Sequence, residues 1–179
     1  QIELRLLAHY SQDPGLVQSF LDKADIHART AAQVFGVSLD DVTDEQRRQA
    51  KSVNFGLMYG MSSFRLSNEL KIPQRHAREI IRRYFEQYAG VKSYFDRAIS
   101  DARTHKQATT LLGRARHLPH MESQSFNLRQ QSERLAINTP IQGSAADILK
   151  VAMLNLDRRL QTEGLRTRML LTVHDELVL

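Results

Sequence analysis

Apolar residues recur at helical spacing between Thr43 and Gly60, so this stretch predicts a single amphipathic helix. Thr43 followed three residues later by Gln46 is a capping-box pattern, which marks the start of the helix. Gly60 is a typical helix stop. The apolar side of the predicted helix consists of Ala50, Val53 and Leu57. We therefore expect the helix to pack on the protein through this side and to expose the other.

The exposed side of the same helix carries two cations followed by two aromatic rings. These residues recur at intervals of four, and because each step drifts by about 40°, they form one slowly winding stripe. A guanidinium and an ammonium can hold a polyphosphate, while a flat ring further along stacks on a base or a sugar. We therefore predict a nucleotide site here, and the alternative is a solvated basic face beside core aromatics. The stripe consists of Arg47, Lys51, Phe55 and Tyr59.

The remaining patterns predict a mainly α-helical protein with a small antiparallel β part. Residues 1–11 fit either a short helix or a strand-to-helix transition. Asp13 with the two residues after it is typical of a turn, Asp25 is a typical helix cap, and Pro140 is expected to kink or divide the longest helix. Gly113 marks the turn of a small hairpin. The other helices are predicted at 16–20, 26–35, 63–70, 73–90, 91–104 and 127–160.

Two short apolar runs, at residues 169–173 and 177–179, flank a charged centre near the end of the sequence. Runs of leucine and β-branched residues are typical of buried strands, so they predict a hairpin with a polar tip. A carboxylate on a rigid turn is a good ligand for Mg²⁺, which favours one or two protein carboxylates together with phosphate oxygens. The charged centre consists of His174, Asp175 and Glu176.

The composition is that of a soluble globular protein, with 41% hydrophobic and 25% charged residues among 179. The sequence has no apolar run long enough to cross a membrane, and charges interrupt its first residues, so we predict a cytoplasmic protein. The absence of cysteine excludes disulfides and thiolate metal sites, which leaves carboxylates and histidines as strong ligands. His117 and His120 could suggest zinc, but no further ligands converge on them.

Positive charge is concentrated in the middle of the chain. Residues 65–116 contain twelve Lys and Arg against five Asp and Glu, whereas the whole chain carries a formal charge of +5. Such a region favours contact with a phosphate backbone, and ordinary basic helix faces are the alternative. A second polar face, spaced by four residues, can reach sugars and base edges in a groove, although a solvated face needs no such role. This face consists of Arg134, Asn138 and Gln142.

Three motifs together resemble the polymerase motifs of family A DNA polymerases, and they occur in the family's order. They are QIELR at the start, RRxxKxxxFGxxYG from Arg47 to Gly60, and VHDE from Val173 to Glu176. Further similar segments are DIHARTA, TLLGR and ERLAINTPIQGSAADILKVAM, so the resemblance covers essentially the whole chain. It implies a right-hand polymerase, with palm segments at 1–12 and 129–179 and the fingers at 13–128.

The resemblance also implies roles for residues that bind the incoming dNTP. Arg47 and Lys51 match the residues that bind its phosphates, and Phe55 matches the ring that packs against its sugar and base. Tyr59 matches the ring near the nascent base pair, and Glu3 matches the steric gate against a 2′-hydroxyl. The implied reaction is transfer of dNMP from dNTP to a primer 3′-hydroxyl, in DNA replication and repair.

The remaining implied roles concern the metal ions and the DNA. Asp175 matches the carboxylate that binds two catalytic Mg²⁺ ions, Glu176 an accessory carboxylate, and His174 a residue beside the primer terminus. Arg134, Asn138 and Gln142 match the face that follows the primer and template in the minor groove. The implied partners are primer–template DNA, dNTP and the remainder of the polymerase.

One departure from the family pattern concerns metal binding. The family's other essential aspartate would lie three residues before Gln1, so we expect these residues to be a segment of a longer polymerase and to be inactive in isolation. Two alternatives are a noncatalytic basic module that binds nucleic acid and a single-subunit phage-type RNA polymerase. Glu3 argues against the second, because a ribonucleotide polymerase needs room for the 2′-hydroxyl. In this family, Phe at position 55 accompanies rejection of dideoxynucleotides.

Overall fold

The computed structural model describes residues 2–174 and 176–179. It is 67% helical with two small antiparallel sheets, which confirms the predicted mainly α architecture. No helix within the described residues is long and apolar enough to span a membrane. The elements are α1 (Ile2–Ser11), α2 (Pro14–Leu21), α3 (Ile26–Phe35), α4 (Asp44–Met58), α5 (Ser63–Leu70), α6 (Gln74–Gln87), α7 (Ala89–His105), β1 (Gln107–Thr109), β2 (Ala115–His117), α8 (Phe126–Thr162), β3 (Leu171–Val173) and β4 (Glu176–Val178).

Side-chain caps fix the starts of the helices that position the stripe. The capping box of α4 forms as predicted, since the Gln46 backbone donates to Thr43 Oγ1 and the Thr43 backbone donates to Gln46 Oε1. Asp25 caps α3, also as predicted. The turn predicted at Asp13 is wrong, because Asp13 caps α2 and Pro14 begins that helix. Proline is favoured at this first position, where its missing N–H is not needed.

The main core is formed by α1 and α4 with the helices that surround them. Helix α4 packs most extensively against α3, while α1 packs against both α7 and α8. Of the two structures that the sequence allowed at the start of the chain, a helix is the one observed, over Ile2–Ser11. The core includes the fully buried side chains of Leu7, Val53, Tyr84 and Ile141. These contacts hold the start of the chain, the stripe helix and the long helix together.

Helix α8 runs unbroken for 37 residues, with Pro140 inside it. Of the two outcomes expected for Pro140, the structure excludes a division of the helix, while a kink stays a prediction. The proline removes one backbone donor, but it is buried, and its neighbours along the helix, Ile137 and Ile141, both belong to the main core. Packing on both sides of the proline stabilises the helix across the missing hydrogen bond.

The two predicted hairpins both form. In the first, β1 pairs antiparallel with β2, with Ala108 opposite Arg116, and Gly113 in the turn has a φ of +82° that favours glycine. In the second, β3 pairs with β4, with Val173 opposite Glu176. The prediction that these last strands are buried is wrong, since Leu171 is 52% and Val173 is 43% exposed. An apolar pattern indicates a surface that favours burial, but it does not supply the partner that covers it.

Candidate nucleotide and nucleic-acid site

The four residues of the stripe differ in exposure along α4. Arg47 and Lys51 are exposed, whereas Phe55 and Tyr59 are half-buried against the main core. The two rings stack with their centroids 6.5 Å apart. On the opposite side Val53 is fully buried, as the apolar pattern predicted. The stripe thus presents two exposed cations at one end and two packed aromatic rings at the other.

The two cations of the stripe have different partners. Arg47 Nε lies 2.6 Å from Asp25 Oδ2, and both side chains are partly exposed. Burial raises the pKa of Asp25, but the hydrogen bonds from Arg47 and from the backbone of α3 outweigh it and hold the pKa below its usual range. Lys51 makes no ion pair with any residue that the structure describes. Its ammonium is available to an incoming anion without breaking another contact.

His27 lies beside the stripe and was assigned no role by the sequence. Its ring centroid is 5.8 Å from that of Phe55, and its Nδ1 is 3.0 Å from Nδ2 of the buried Asn54. Thr30 donates to Oδ1 of Asn54, which orients the amide so that Nδ2 donates to His27. The imidazole therefore carries its proton on Nε2, and burial together with Arg47 and Lys51 lowers the pKa of His27 despite the opposing effect of Asp25.

Tyr59 connects the end of the stripe to the start of the chain. Its hydroxyl donates to the Glu3 carboxylate, although the two residues are 56 positions apart. Burial, followed by the hydrogen bond and the negative charge of Glu3, raises the pKa of Tyr59 to about 12, while Gln142 acts in the opposite direction. The structure thus brings together Glu3 of α1, Tyr59 at the C-terminal end of α4, and Gln142 of α8.

This contact predicts a specific titration. Because the folded state holds the proton of Tyr59 more tightly than the unfolded state does, the stability that this group contributes is complete below pH 10 and is lost between pH 10 and about 12. Replacing Glu3→Gln removes the adjacent charge and should move the pKa of Tyr59 toward 10. NMR titration of the tyrosine Cζ atoms, assigned with Tyr59→Phe, measures this. Glu69→Gln, on α5, is the control, and an unchanged Tyr59 pKa in Glu3→Gln would contradict the contact.

The polar face of α8 lies next to the end of the stripe. Gly60 has a φ of +73°, and a Cβ added there would lie 2.9 Å from Cγ of Arg134, so this arginine packs directly on the glycine. Asn138 is half-buried, and its Oδ1 has no hydrogen-bond partner among the described residues. Gln142 is exposed. The predicted face therefore adjoins Tyr59, and its exposed members, Arg134 and Gln142, are available for a ligand.

A cavity of about 570 Å³ separates the start of α1 from the last hairpin. Glu3 and His174 both line it, opposite small and aliphatic side chains of α8. Glu176 is exposed at the start of β4. Asp175, the predicted metal ligand, lies outside the described residues. Among the residues that are described, no three His, Asp or Glu side chains form a group that could hold a metal ion, and this includes His117 and His120.

The basic middle of the chain is partly neutralised within its own helices. On α6, Arg82 pairs with Glu79 and Glu86, and Arg83 also pairs with Glu79. Such exposed pairs contribute little to stability, but they reduce the charge that is available to a phosphate backbone. The count of basic residues alone therefore overstates the positive surface of this region.

Comparison with known proteins gives consistent matches over the whole chain. The sequence model of DNA polymerase family A matches residues 1–179. DNA polymerase I of Bacillus caldotenax is 51% identical over 179 residues, and DNA polymerase I of Streptococcus pneumoniae is 53% identical over 180 residues. Each alignment covers 100% of this chain and 20% of the relative. The chain therefore spans about one fifth of the length of these relatives.

A solved structure is similar to this fold over almost its whole length. It is the POL domain of Pol1 from M. smegmatis, in complex with DNA primer-template and dNTP. The TM-score is 0.94 with 45% sequence identity, and the match covers 99% of this chain and 31% of the other.

Proposed function

Because the chain belongs to DNA polymerase family A, we propose that it forms the nucleotide-selecting part of a template-directed DNA polymerase. In the complete enzyme, a primer 3′-hydroxyl attacks the α-phosphate of a bound dNTP, which adds dNMP to the primer and releases pyrophosphate. Residues 13–128 form the fingers, while residues 1–12 and 129–179 belong to the palm. The hydrogen bond between Tyr10 of α1 and Ser144 of α8, at 2.8 Å, supports this pairing of the two palm segments.

The observation that carries the proposal is the junction at the aromatic end of the stripe. Tyr59 contacts Glu3 of α1, and the adjacent Gly60 contacts Arg134 of α8. A nucleotide along the stripe therefore has its phosphates at Lys51 and its base at the meeting point of three helices. A solvated basic face, the alternative interpretation of the stripe, does not require this junction.

Each group near the stripe then has a defined task. Lys51 and Arg47 bind the phosphates, and the Nε2–H of His27 donates to a phosphate oxygen from the same side. Phe55 packs against the sugar, and Tyr59 lies against the nascent base pair. Glu3 excludes a 2′-hydroxyl because its carboxylate, held by Tyr59, occupies the space beside the sugar. This exclusion favours a DNA polymerase over a phage-type RNA polymerase.

The polar face of α8 binds the primer and template. Arg134, Asn138 and Gln142 follow the minor groove, where the exposed side chains of Arg134 and Gln142 reach sugars and base edges. His174, in the same cavity as Glu3, lies beside the primer terminus. The sugar of the incoming nucleotide and the end of the primer thus meet near Glu3.

Enzymes of this family are nucleotidyltransferases and generally need divalent metal ions. The described residues do not assemble a complete metal site, since Glu176 is the one carboxylate they supply on the last hairpin. The two Mg²⁺ ions and their ligand Asp175 therefore stay predictions from the family resemblance. When bound, such ions supply positive charge for the attacking and leaving oxygens.

A chimera tests the proposed function. Residues 1–179 replace the corresponding segment of a complete family A polymerase, and primer extension is measured with each dNTP in turn. Extension that follows the template supports the proposal. A noncatalytic nucleic-acid-binding module would instead bind DNA, show no Mg²⁺-dependent dNTP binding, and leave the chimera inactive.

The same chimera tests the position of Phe55. Phe55→Tyr should ease incorporation of dideoxynucleotides, because a hydroxyl on this ring can substitute for the 3′-hydroxyl that such a nucleotide lacks. The ratio of kcat/KM for dideoxy and deoxy substrates measures the effect. Phe35→Tyr, at the end of α3, is the control, and an unchanged ratio in Phe55→Tyr would place the sugar elsewhere.

A further inference from the structure

A second cavity, of about 380 Å³, lies at the phosphate end of the stripe. It is enclosed by α1, by the turn between α2 and α3, and by Arg47 of α4. Its floor includes the buried Leu4 and Ile26, while its polar lining is mostly basic. The basic lining residues are Arg5, Lys23, His27 and Arg47.

The side chains that line this cavity carry an excess of positive charge. Among the residues that the structure describes, Asp25 is the one acidic residue lining the cavity. It is already engaged by Arg47 and by the backbone N–H groups of His27 and Ala28. Neither Arg5 nor Lys23 forms an ion pair with any residue in the described part of the chain. The cavity therefore presents two positive charges that have no internal counterion, which suits a small anion of high charge.

Arg5 is held in position without a carboxylate. Its guanidinium carbon lies 4.7 Å from the centroid of the Phe20 ring, and Phe20 also lines the cavity. A guanidinium stacked on an aromatic face keeps its N–H donors free for an anion. Lys23 approaches from the turn after α2, so the two cations reach the cavity from different elements.

The cavity adjoins the phosphate-binding part of the stripe and extends away from it. Arg47 and His27 lie on the side that the cavity shares with the stripe, whereas Lys51 does not line the cavity. Arg5 and Lys23 belong to α1 and to the turn after α2, and neither is part of the stripe. A group that leaves the α-phosphate can therefore move from Arg47 toward Arg5 and Lys23 without leaving the cavity.

We propose that this cavity is a product subsite that receives pyrophosphate, with Arg5 and Lys23 as its specific contacts. The inference rests on the proposed function. The primer 3′-hydroxyl loses its proton to water as its oxygen bonds to the α-phosphorus. The bond from that phosphorus to the bridging oxygen breaks, and the pyrophosphate leaves with the electron pair. The pyrophosphate then moves from Arg47 on the stripe to Arg5 and Lys23. Binding there delays the reverse reaction, in which pyrophosphate attacks the new end of the primer.

Lys23 allows a test in which folding is not at risk. Its φ of +54° is a left-handed conformation that glycine adopts more easily, so Lys23→Gly removes the charge without adding strain. Lys71 has the same φ of +54° and lies outside the cavity, so Lys71→Gly is the same substitution in the same conformation. Comparing Lys23→Gly with Lys71→Gly separates the loss of a cation in the cavity from the general effect of replacing lysine by glycine.

Binding of inorganic pyrophosphate to the 179-residue chain is measured by isothermal titration calorimetry. Lys23→Gly and Arg5→Gln should each weaken binding about fivefold, as expected for one charge contact near the surface, and Lys71→Gly should leave it unchanged. If Lys23→Gly and Lys71→Gly bind pyrophosphate equally well, the proposal is wrong.

The second measurement uses the complete chimera. Lys23→Gly should raise the inhibition constant for pyrophosphate about fivefold, with kcat and the KM for dNTP within about twofold of the unsubstituted chimera. A parallel rise in the KM for dNTP would overturn the proposal, because the cavity would then belong to the triphosphate site. An unsubstituted chimera that extends no primer would instead overturn the proposed function, while the binding comparison on the chain alone still decides the subsite.

Discussion

Lys51→Ala in a complete polymerase carrying these residues should lower kcat/KM for dNTP by about 10²- to 10³-fold, the usual cost of removing one charge-stabilising group. Lys51 is exposed on the stripe and makes no ion pair within the described residues, so its removal leaves no other group unpaired. The effect should appear in both kcat and KM, because the ammonium contacts the phosphates before and during the reaction. Single-nucleotide incorporation under pre-steady-state conditions separates the two.

Two further variants make this result specific. Lys51→Arg keeps the charge and should recover part of the loss, whereas Lys71→Ala removes a lysine outside the stripe and should change nothing. Arg47→Ala is less informative, since it also releases Asp25, the cap of α3. If Lys51→Ala retains kcat/KM within a few-fold of the unsubstituted enzyme, the stripe does not hold the phosphates.

Gly143→Ala should destabilise the chain although alanine is the better helix former. A Cβ at this position would lie 2.4 Å from Cγ2 of Thr110, which is far inside contact distance. Thr110 cannot rotate away freely, because its Oγ1 donates to Asp147 at 2.6 Å. Overpacking of this kind costs about 1–3 kcal/mol, against about 1 kcal/mol gained from helix propensity. The midpoint of urea unfolding of the 179-residue chain measures the net loss.

A double variant isolates the cause of this loss. Thr110→Ser removes the methyl group that collides and keeps the hydroxyl that bonds Asp147. Gly143→Ala with Thr110→Ser should therefore be more stable than Gly143→Ala alone. Gly56→Ala is the control, because its Cβ would meet the flexible end of Met61, which can move. A Gly143→Ala chain as stable as the parent would show that the hairpin does not pack on α8 at this point.

The helices were predictable wherever local chemistry marks their ends. The capping box at Thr43 and the cap at Asp25 need no partner outside their own helices, so the sequence sufficed. Asp13 shows where local sequence fails to mark the end of a helix, since an Asp-Pro-Gly sequence fits a turn and a helix start equally well. The backbone N–H of Gly90 donates to Asp13 Oδ2 at 2.9 Å, so Asp13 is also held by α7, a contact 77 positions away. Local sequence is also insufficient at Pro140. Tertiary packing, rather than local helix preference, keeps α8 continuous there.

The sequence predicted which residue types form the candidate site, but it did not predict the contacts between their side chains. Intervals of four placed Arg47 and Lys51 on one face, because a helix has a fixed period. The sequence does not single out His27, since the orientation of its ring depends on Asn54 and Thr30, both buried within the fold. A histidine two positions after a helix cap was the available signal, and it does not by itself distinguish a site from a surface.

The sequence by itself determined which residues share the stripe and where the main helices lie, because helical period and capping act over a few residues. The tertiary structure decided that Tyr59 meets Glu3, that Arg134 packs on Gly60, and that Arg5 and Lys23 line one cavity. It also left the apolar strands of the last hairpin exposed. These outcomes depend on contacts between distant segments, which form when helices pack and which no local pattern specifies.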